Sequence, residues 1–235
     1  MYARLSSTQT AQLAEDSDFT IYDGGMNLVQ ALYLNNAVEP LNNVKVRQAL
    51  CYAANRQEVL DMIADGKGTI IGSSMFPAFG KYYVPELSER YNQDIEKAKE
   101  LLKEAGYEDT DGDGIVEKDG EPLSLRLVFQ TEEYASWKSL CEFLKSEYEK
   151  VGVGIELVEE ESAAYYDAIW STRDYDLCIY RSYEDSWMPH GFLKSMFYAP
   201  DGAKAVNWYD EELNNDLGEV LKTQDEDCLL YTSDA

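Results

Sequence analysis

The feature that most constrains the fold is an alternation of two hydrophobic periods in the middle of the chain. Apolar residues at every second position predict strands at 123–129 and 153–157, and a compact apolar segment predicts a third at 175–180. Apolar residues at helical spacing predict helices at 137–151 and 163–170. The resulting order β-α-β-α-β is typical of an α/β protein with helices packed on a mixed sheet.

The N-terminal part of the chain adds further elements to this layout. Asp94 is well placed to cap a helix, and Gly24-Gly25 lies between two alternating segments. The predicted helices span 6–13, 44–64 and 95–105, and the predicted strands span 19–22 and 28–35. The sequence contains neither an internal repeat nor a low-complexity linker, which favours a single domain.

Charge and cysteine content exclude several classes of function. The formal net charge of -25 argues against nucleic acid as a partner, because binding phosphates requires clustered Lys and Arg. Four cysteines without a C-x-x-C pair and a single histidine argue against a Cys/His zinc site. Cys51, Cys141 and Cys178 lie among apolar neighbours and are interpreted as buried free thiols, while the sequence leaves a disulfide as the alternative. Cys228 is the fourth cysteine.

One acidic segment resembles the start of a calcium loop. Asp109, Asp111 and Asp113 occupy alternate positions and Gly114 follows, as in an EF-hand. However, Gly120 stands where the bidentate glutamate is needed, and a strand follows instead of a helix. The segment is therefore either a hairpin or a structural calcium site. If the segment binds calcium, an alternative function is a calcium-stabilised structural or adhesion domain. A calcium-dependent shift in melting temperature would support this alternative.

The most informative loop for function directly follows the strand at 175–180. Ligands of open α/β sheets bind outside the carboxyl ends of the strands. In this loop, Tyr183 and Trp187 could form aromatic walls, and Asp185 could pair with an ammonium group of the ligand. The competing interpretation is structural, with Trp187 covering the core and Asp185 capping the helix near Pro189. His190 is either a metal ligand or base, or a hydrogen-bonded structural histidine.

Nothing in the sequence favours an enzyme. The nucleophile elbow, the P-loop and the dinucleotide-binding glycine motif are all absent from the sequence. The acidic run 159–161 is either an acid/base cluster, which makes a hydrolase the second alternative function, or a solvated strand end. That hypothesis requires a cleft with two or more close carboxylates. We expect no cofactor and no resident metal.

Several segments together resemble the family of peptide-, dipeptide- and nickel-binding solute receptors of ABC importers. They occur in the family's order, from about residue 6 to about residue 221: NVKVRQALCYAANR at 43–56, DIEKAKELLKEAGY at 94–107, DGDGI at 111–115 followed by GEPL at 120–123, and YDL at 175–177. The resemblance implies a periplasmic-binding-protein-like type II fold. Residues 1–221 would form the C-terminal ligand-binding lobe, which closes on solute against an N-terminal lobe.

The loop at 181–196 is most similar to the nickel-binding branch of that family. The two pocket aromatics of that branch fall on Tyr183 and Trp187, with the order of Trp and Tyr exchanged, and Arg181 opens the matching motif. In the peptide-binding branch an aspartate that grips the peptide's amino terminus matches Asp185. The resemblance therefore implies a peptide or a chelated nickel ion as ligand.

The resemblance also implies the partners and the location of the protein. The partners would be the membrane permease subunits and the N-terminal lobe, and the protein would act outside the cytoplasm, in the periplasm or as a cell-surface lipoprotein. Residues 222–235 depart from the family pattern, and we expect them to be a truncated or artificial end.

Overall fold

The computed structural model describes residues 7–22, 29–182, 188–199 and 209–223. Its α-helices are α1 (Ser7–Ala14), α2 (Val44–Ala53), α3 (Arg56–Ala64), α4 (Pro85–Ser88), α5 (Ile95–Glu104), α6 (Trp137–Glu149), α7 (Ser162–Asp167), α8 (Pro189–Phe197) and α9 (Glu211–Val220). Its strands are β1 (Gln30–Leu34), β2 (Glu117–Lys118), β3 (Glu121–Pro122), β4 (Ser124–Phe129), β5 (Gly154–Glu159) and β6 (Leu177–Arg181). A 3₁₀ turn spans Pro77–Tyr82, and a π-helical turn, Ala168–Thr172, extends α7.

Four strands form one mixed sheet in the order β1-β6-β4-β5. Strand β4 pairs in parallel with both β5 and β6, and β1 pairs antiparallel with β6. Because β4, β5 and β6 run in one direction, their carboxyl ends lie at the same edge of the sheet, which we call the carboxyl edge. The predicted β-α-β-α-β order and the mixed sheet are confirmed.

The hairpin β2-β3 lies at the opposite edge, where β4 and β5 begin, which we call the amino edge. The backbone amide of Val116 donates to the carbonyl of Gly152 at 2.8 Å, and the amide of Leu123 donates to Val116 at 2.8 Å. These bonds tie the hairpin to the residues that lead into β4 and β5. The hairpin predicted for this glycine- and aspartate-rich segment is confirmed.

Two local predictions are wrong. The helix predicted at 44–64 is two helices, because the chain leaves helical geometry at Ala54 and Asn55 then caps α3 by accepting from the amide of Glu58 at 3.1 Å. Residues 19–22 form no strand, and Tyr22 is 91% exposed, so their alternating pattern has no buried face to support a ladder.

The core fills the space between the sheet and the helices. Its largest fully buried side chains include Trp137, Tyr148, Tyr165, Tyr175 and Phe129. The helix predicted at 95–105 is confirmed as α5, with Asp94 accepting from the amide of Lys97 at 2.9 Å.

The cysteines of the described residues are free thiols. Cys141 and Cys178 are buried, Cys51 is half-buried, and burial raises the pKa of all three thiols. Cys228 lies outside the described residues. Across the described ranges, none of the helices has the length and apolar character needed to span a membrane.

Candidate functional site

A cavity of about 80 Å³ lies at the carboxyl edge of the sheet. Its walls come from the segments that follow β4 and β5 and from the end of β6. The lining residues are Glu133, Tyr134, Trp137, Tyr165, Tyr166, Trp170, Tyr180, Arg181 and Ser182. The parallel pairing of β4 with β5 and β6 brings these three segments together, because each strand delivers its following residues to the same edge.

The first wall of the cavity is an aromatic stack with a cation beside it. The rings of Tyr134 and Trp137 stack with centroids 4.2 Å apart. The guanidinium of Arg181 lies 5.0 Å from the centroid of the Tyr134 ring, and its Nε donates to the Tyr134 hydroxyl. A cation–π contact and a hydrogen bond therefore orient Arg181, the last residue of β6, toward the residues that follow β4.

The second wall joins a carboxylate to the aromatic residues of α7. Glu133 accepts from the hydroxyl of Ser162 at 2.7 Å and from the hydroxyl of Tyr166 at 3.1 Å. Tyr166 stacks on Trp170 with centroids 4.5 Å apart, and Trp170 is 41% exposed. Burial, and then the hydrogen bond to Glu133, raise the pKa of Tyr166 to about 12, so this hydroxyl is neutral at physiological pH.

One residue that lines the cavity carries a buried polar atom that lacks a partner in the described part of the structure. Trp137 is 1% exposed, and its indole Nε1 has no acceptor among the described residues. Gln130, just after β4, is fully buried. Its Oε1 accepts from the amide of Glu133 at 2.9 Å, whereas its Nε2 has no acceptor in the same part of the structure. Buried donors are nearly always paired, so two orphans on one short segment call for an explanation.

The structure describes only part of the predicted site. Arg181, the last residue of β6, lines the cavity. Tyr183, Asp185 and Trp187 lie outside the described residues. His190 lies half-buried in the first turn of α8, and that helix begins at Pro189 as expected.

Sequence reasoning missed most of the cavity. The residues after β4 and β5 were interpreted only as helices, and Trp137 only as part of an apolar stripe. Ligands of open α/β sheets bind outside the carboxyl ends of the strands, a rule that the sequence analysis applies only to the strand at 175–180. Applied to β4 and β5 as well, the rule points to the aromatic-rich segments TEEYASW at 131–137 and YYDAIW at 165–170.

The candidate calcium loop brings its carboxylates together. Asp109, Asp111, Asp113 and also Glu117 offer oxygens that all lie within 4.8 Å of one another. These carboxylates already accept hydrogen bonds from the loop itself. Asp109 accepts from the amides of Gly112 at 2.7 Å and Gly114 at 3.1 Å, and similar bonds reach the other three carboxylates. Hydrogen bonds from the backbone amides of the loop are therefore sufficient to explain its conformation.

The lining of the cavity bears on the hydrolase hypothesis, which requires two or more close carboxylates in the cleft. Among the described residues, Glu133 is the carboxylate that lines it. Aromatic walls, one cation and one anion at the carboxyl edge of an α/β sheet are instead the arrangement of a ligand-binding protein.

Comparisons with known proteins agree with this class. A model of the bacterial extracellular solute-binding proteins, family 5 (middle region) matches residues 1–204. The chain is 31% identical over 202 residues to the nickel-binding periplasmic protein of Escherichia coli (strain K12), a match that covers 83% of this chain and 37% of that protein. The chain belongs to the family 5 solute-binding proteins, a family of binding proteins and not of enzymes, whose description places them outside the cytoplasm.

Solved structures of similar fold include receptors with different ligands. The oligopeptide-binding protein AppA from Bacillus subtilis in complex with a nonapeptide has a TM-score of 0.73 at 22% identity, covering 94% of this chain and 45% of that chain. NikZ from Campylobacter jejuni in complex with Ni(L-His) has a TM-score of 0.75 at 21% identity, covering 96% and 45%. The chain thus spans less than half the length of the proteins it matches.

Proposed function

We propose that residues 1–221 form one ligand-binding lobe, the C-terminal lobe, of a solute receptor that serves an ABC importer. The observation that carries the proposal is the aromatic cavity with Arg181 and Glu133 at the carboxyl edge of the sheet. The family match supports it, because that family consists of solute-binding proteins. A second lobe would complete the binding site, and closure of the two lobes would trap the solute without any covalent step.

The proposed ligands are short peptides or a nickel ion held by a small chelator. The nickel-binding relative and the similar fold of the Ni(L-His) complex support the chelate, and the nonapeptide complex supports peptides. We also propose that Tyr183, Asp185 and Trp187 contribute to the same site, since they directly follow Arg181 and Ser182 in sequence. Asp185 would pair with a peptide ammonium group, and the two aromatic residues would cover the ligand.

The proposed partners and location follow from the same family. The loaded receptor would deliver its solute to the membrane permease subunits of the importer. It would do so in the periplasm or, as a lipoprotein, at the cell surface. The net charge of -25 supports the absence of nucleic acid among the partners.

A thermal-shift screen, repeated by isothermal titration calorimetry, tests the proposed function. The ligands are di- and tripeptides, Ni²⁺ alone, and Ni²⁺ with free histidine, with Ca²⁺ and EDTA added to test the calcium alternative. We expect a peptide or the nickel–histidine chelate to raise the melting temperature. A rise in melting temperature with Ca²⁺ alone, and none with peptides or chelates, would contradict the receptor function and favour the calcium-stabilised domain.

Matched variants then locate the binding site. Trp170→Ala removes an exposed aromatic residue of the cavity, and Tyr209→Ala removes an aromatic residue of similar exposure, 47%, outside it. The first should weaken binding about tenfold or more and the second should leave it unchanged. Asp185→Ala should abolish the response to peptides, whereas Trp187→Ala should abolish the response to chelated nickel. Equal effects of the Trp170 and Tyr209 variants would place the ligand elsewhere.

A further inference from the structure

We propose that the Asp119–Gly120 bond, at the tip of the β2-β3 hairpin, is a site of spontaneous isoaspartate formation. This is a covalent modification of the backbone that needs only water. The proposal is independent of the proposed function, because the hairpin is tied to the amino edge of the sheet and the candidate binding site lies at the carboxyl edge.

An Asp–Gly bond can rearrange because the aspartate carboxyl group lies next to the amide of the following residue. The amide nitrogen attacks the carboxyl carbon, a C–N bond forms, and the carboxyl hydroxyl leaves with the amide proton as water, which gives a cyclic succinimide. Water then opens the ring at the former backbone carbonyl. The chain afterwards runs through the side-chain carbonyl, so the backbone is one methylene longer. Glycine favours the attack, because no β-carbon shields its amide.

The structure distinguishes among the Asp–Gly bonds by the partners of their amides. The sequence has six such bonds, and four of them lie in the described residues. In three of the four, the attacking amide already donates a hydrogen bond. The amide of Gly66 donates to the carbonyl of Leu60 at 3.4 Å, and the amides of Gly112 and Gly114 donate to the carboxylate of Asp109 at 2.7 Å and 3.1 Å. Each must give up that bond before it can attack.

Two of the protected bonds have engaged carboxyl groups as well. Oδ1 of Asp111 accepts from the amide of Asp113 at 3.0 Å, and Oδ1 of Asp113 accepts from the amide of Ile115 at 2.8 Å. Ring closure turns the carboxyl group toward the following amide, so these bonds must also break. The loop at 109–115 is therefore protected twice.

The fourth bond has none of this protection. Asp119 and Gly120 are exposed, the Gly120 amide has no acceptor in the described part of the structure, and a β-carbon at Gly120 would have no atom within 4 Å. Asp119 has a φ of +55°, a left-handed conformation that is strained for a residue with a side chain. The turn therefore leaves both the space and the free amide that ring closure requires.

The hairpin that carries this turn is short and opens easily. Its ladder has two residue pairs, Lys118 with Glu121 and Glu117 with Pro122, and a proline has no amide to donate. Few hydrogen bonds therefore break when the tip opens. A two-residue turn depends on its exact length, so a backbone one methylene longer cannot keep Lys118 opposite Glu121.

Ageing of the full 235-residue chain at neutral pH and physiological temperature tests the proposal. Peptide mapping detects isoaspartate as a peptide of unchanged mass and shifted retention that a protein isoaspartate methyltransferase labels, and ageing in heavy-oxygen water marks each ring opening. We expect Asp119 to be converted at least about tenfold faster than Asp65, Asp111 or Asp113, because local opening sets the reactive population. In urea the four bonds should react at similar rates. Similar rates in the folded chain would overturn the proposal.

Two variants test the physical reason for the selectivity. Asp109→Ala releases the amides of Gly112 and Gly114 and should raise conversion at Asp111 and Asp113 toward that at Asp119. This prediction holds even if the loop loses its structure, since its amides are then also free. Asp119→Glu should abolish the reaction at the hairpin, because the larger ring forms far less readily. If Asp109→Ala left both rates unchanged, hydrogen bonding of the amides would not explain the selectivity and the inference would fail.

Discussion

The two edges of the same sheet differ in what their polar groups contact. At the amino edge, the side chain of Arg126 pairs with Asp174 at 2.6 Å, its backbone amide donates to Asp176 at 2.7 Å, and the buried Asn35 donates to the carbonyl of Tyr175 at 2.9 Å. At the carboxyl edge, aromatic rings surround a small cavity, and the indole N–H of Trp137 has no acceptor among the described residues.

This difference suggests a division between residues that stabilise the fold and residues of the proposed binding site. Satisfied hydrogen bonds between neighbouring segments fix the register of β1, β4 and β6 and contribute to the free energy of unfolding. An unsatisfied buried donor instead costs stability. Substitutions at the amino edge should therefore change stability most, and those at the carboxyl edge should change ligand affinity most.

The largest expected effect on stability comes from Asn35→Ala at the amino edge. The Asn35 side chain is buried, donates to the carbonyls of Tyr175 and Arg173, and accepts from the amide of Ala37. Its removal leaves buried backbone groups without partners and should lower the free energy of unfolding by about 3 kcal/mol. Urea denaturation measures this loss. The neighbouring Asn36→Ala is the control and should change stability by less than about 0.5 kcal/mol.

A similar loss for Asn35→Ala and Asn36→Ala would contradict the division between the edges. An unchanged urea midpoint for Asn35→Ala would also contradict this division, because water would then replace every hydrogen bond of the amide side chain.

The second effect concerns the hairpin at the amino edge. Gly152 has a φ of +82°, and a β-carbon there would lie 2.8 Å from Cγ1 of Val116, in the segment that leads to β2. Gly152→Ala should therefore destabilise the protein by about 2 kcal/mol through backbone strain and the contact. Gly120→Ala has the same φ, +83°, with nothing within 4 Å, and should cost only about 1 kcal/mol. The difference between their thermal midpoints isolates the contact with the hairpin, and equal midpoints would argue against it.

The parallel unit of the fold was predictable because it depends on local periodicity. The leucines of β4 and the apolar stripe of α6 each report one buried face. The strand predicted at 19–22 failed because an alternating pattern also needs a partner strand, which no single segment encodes. The break between α2 and α3 had a local signal, since Asn55 is a good N-cap residue, but the apolar spacing continues across it.

The candidate site was predictable only in part, for a physical reason. Arg181 is a candidate from the sequence because it follows the strand predicted at 175–180, and in the structure it is the last residue of β6 and lines the cavity. The sequence places Trp137 in the apolar stripe of one helix and Tyr165 within another, and both residues are buried. Burial and exposure to a cavity are compatible for a large aromatic residue, and helical spacing reports only burial. The parallel pairing that places these rings beside Arg181 is a long-range contact that the spacing of apolar residues does not reveal.

A smaller effect on stability is expected at the carboxyl edge. Trp170 stacks on Tyr166 but is 41% exposed, so Trp170→Ala removes little buried area and should lower the free energy of unfolding by about 1 kcal/mol or less. Urea denaturation of this variant beside Asn35→Ala compares the two edges in one assay. If Trp170→Ala lowered the free energy of unfolding as much as Asn35→Ala, the exposed stack would contribute mainly to stability and not to ligand binding.

The smallest effect at neutral pH is expected for Tyr166→Phe, and its value lies in its pH dependence. Burial first, and then the hydrogen bond to Glu133, raise the pKa of Tyr166 to about 12 from an ordinary value near 10. A raised pKa means that the folded state holds the proton more tightly. The contribution of Tyr166 to stability is therefore complete below pH 10 and is lost as the pH rises toward 12.

Above pH 10, the free energy of unfolding of the parent protein should therefore fall more steeply than that of Tyr166→Phe. Glu133→Gln should reduce this difference without abolishing it, because burial is the larger cause. Parallel curves in urea titrations between pH 9 and about pH 11 would contradict the raised pKa of Tyr166.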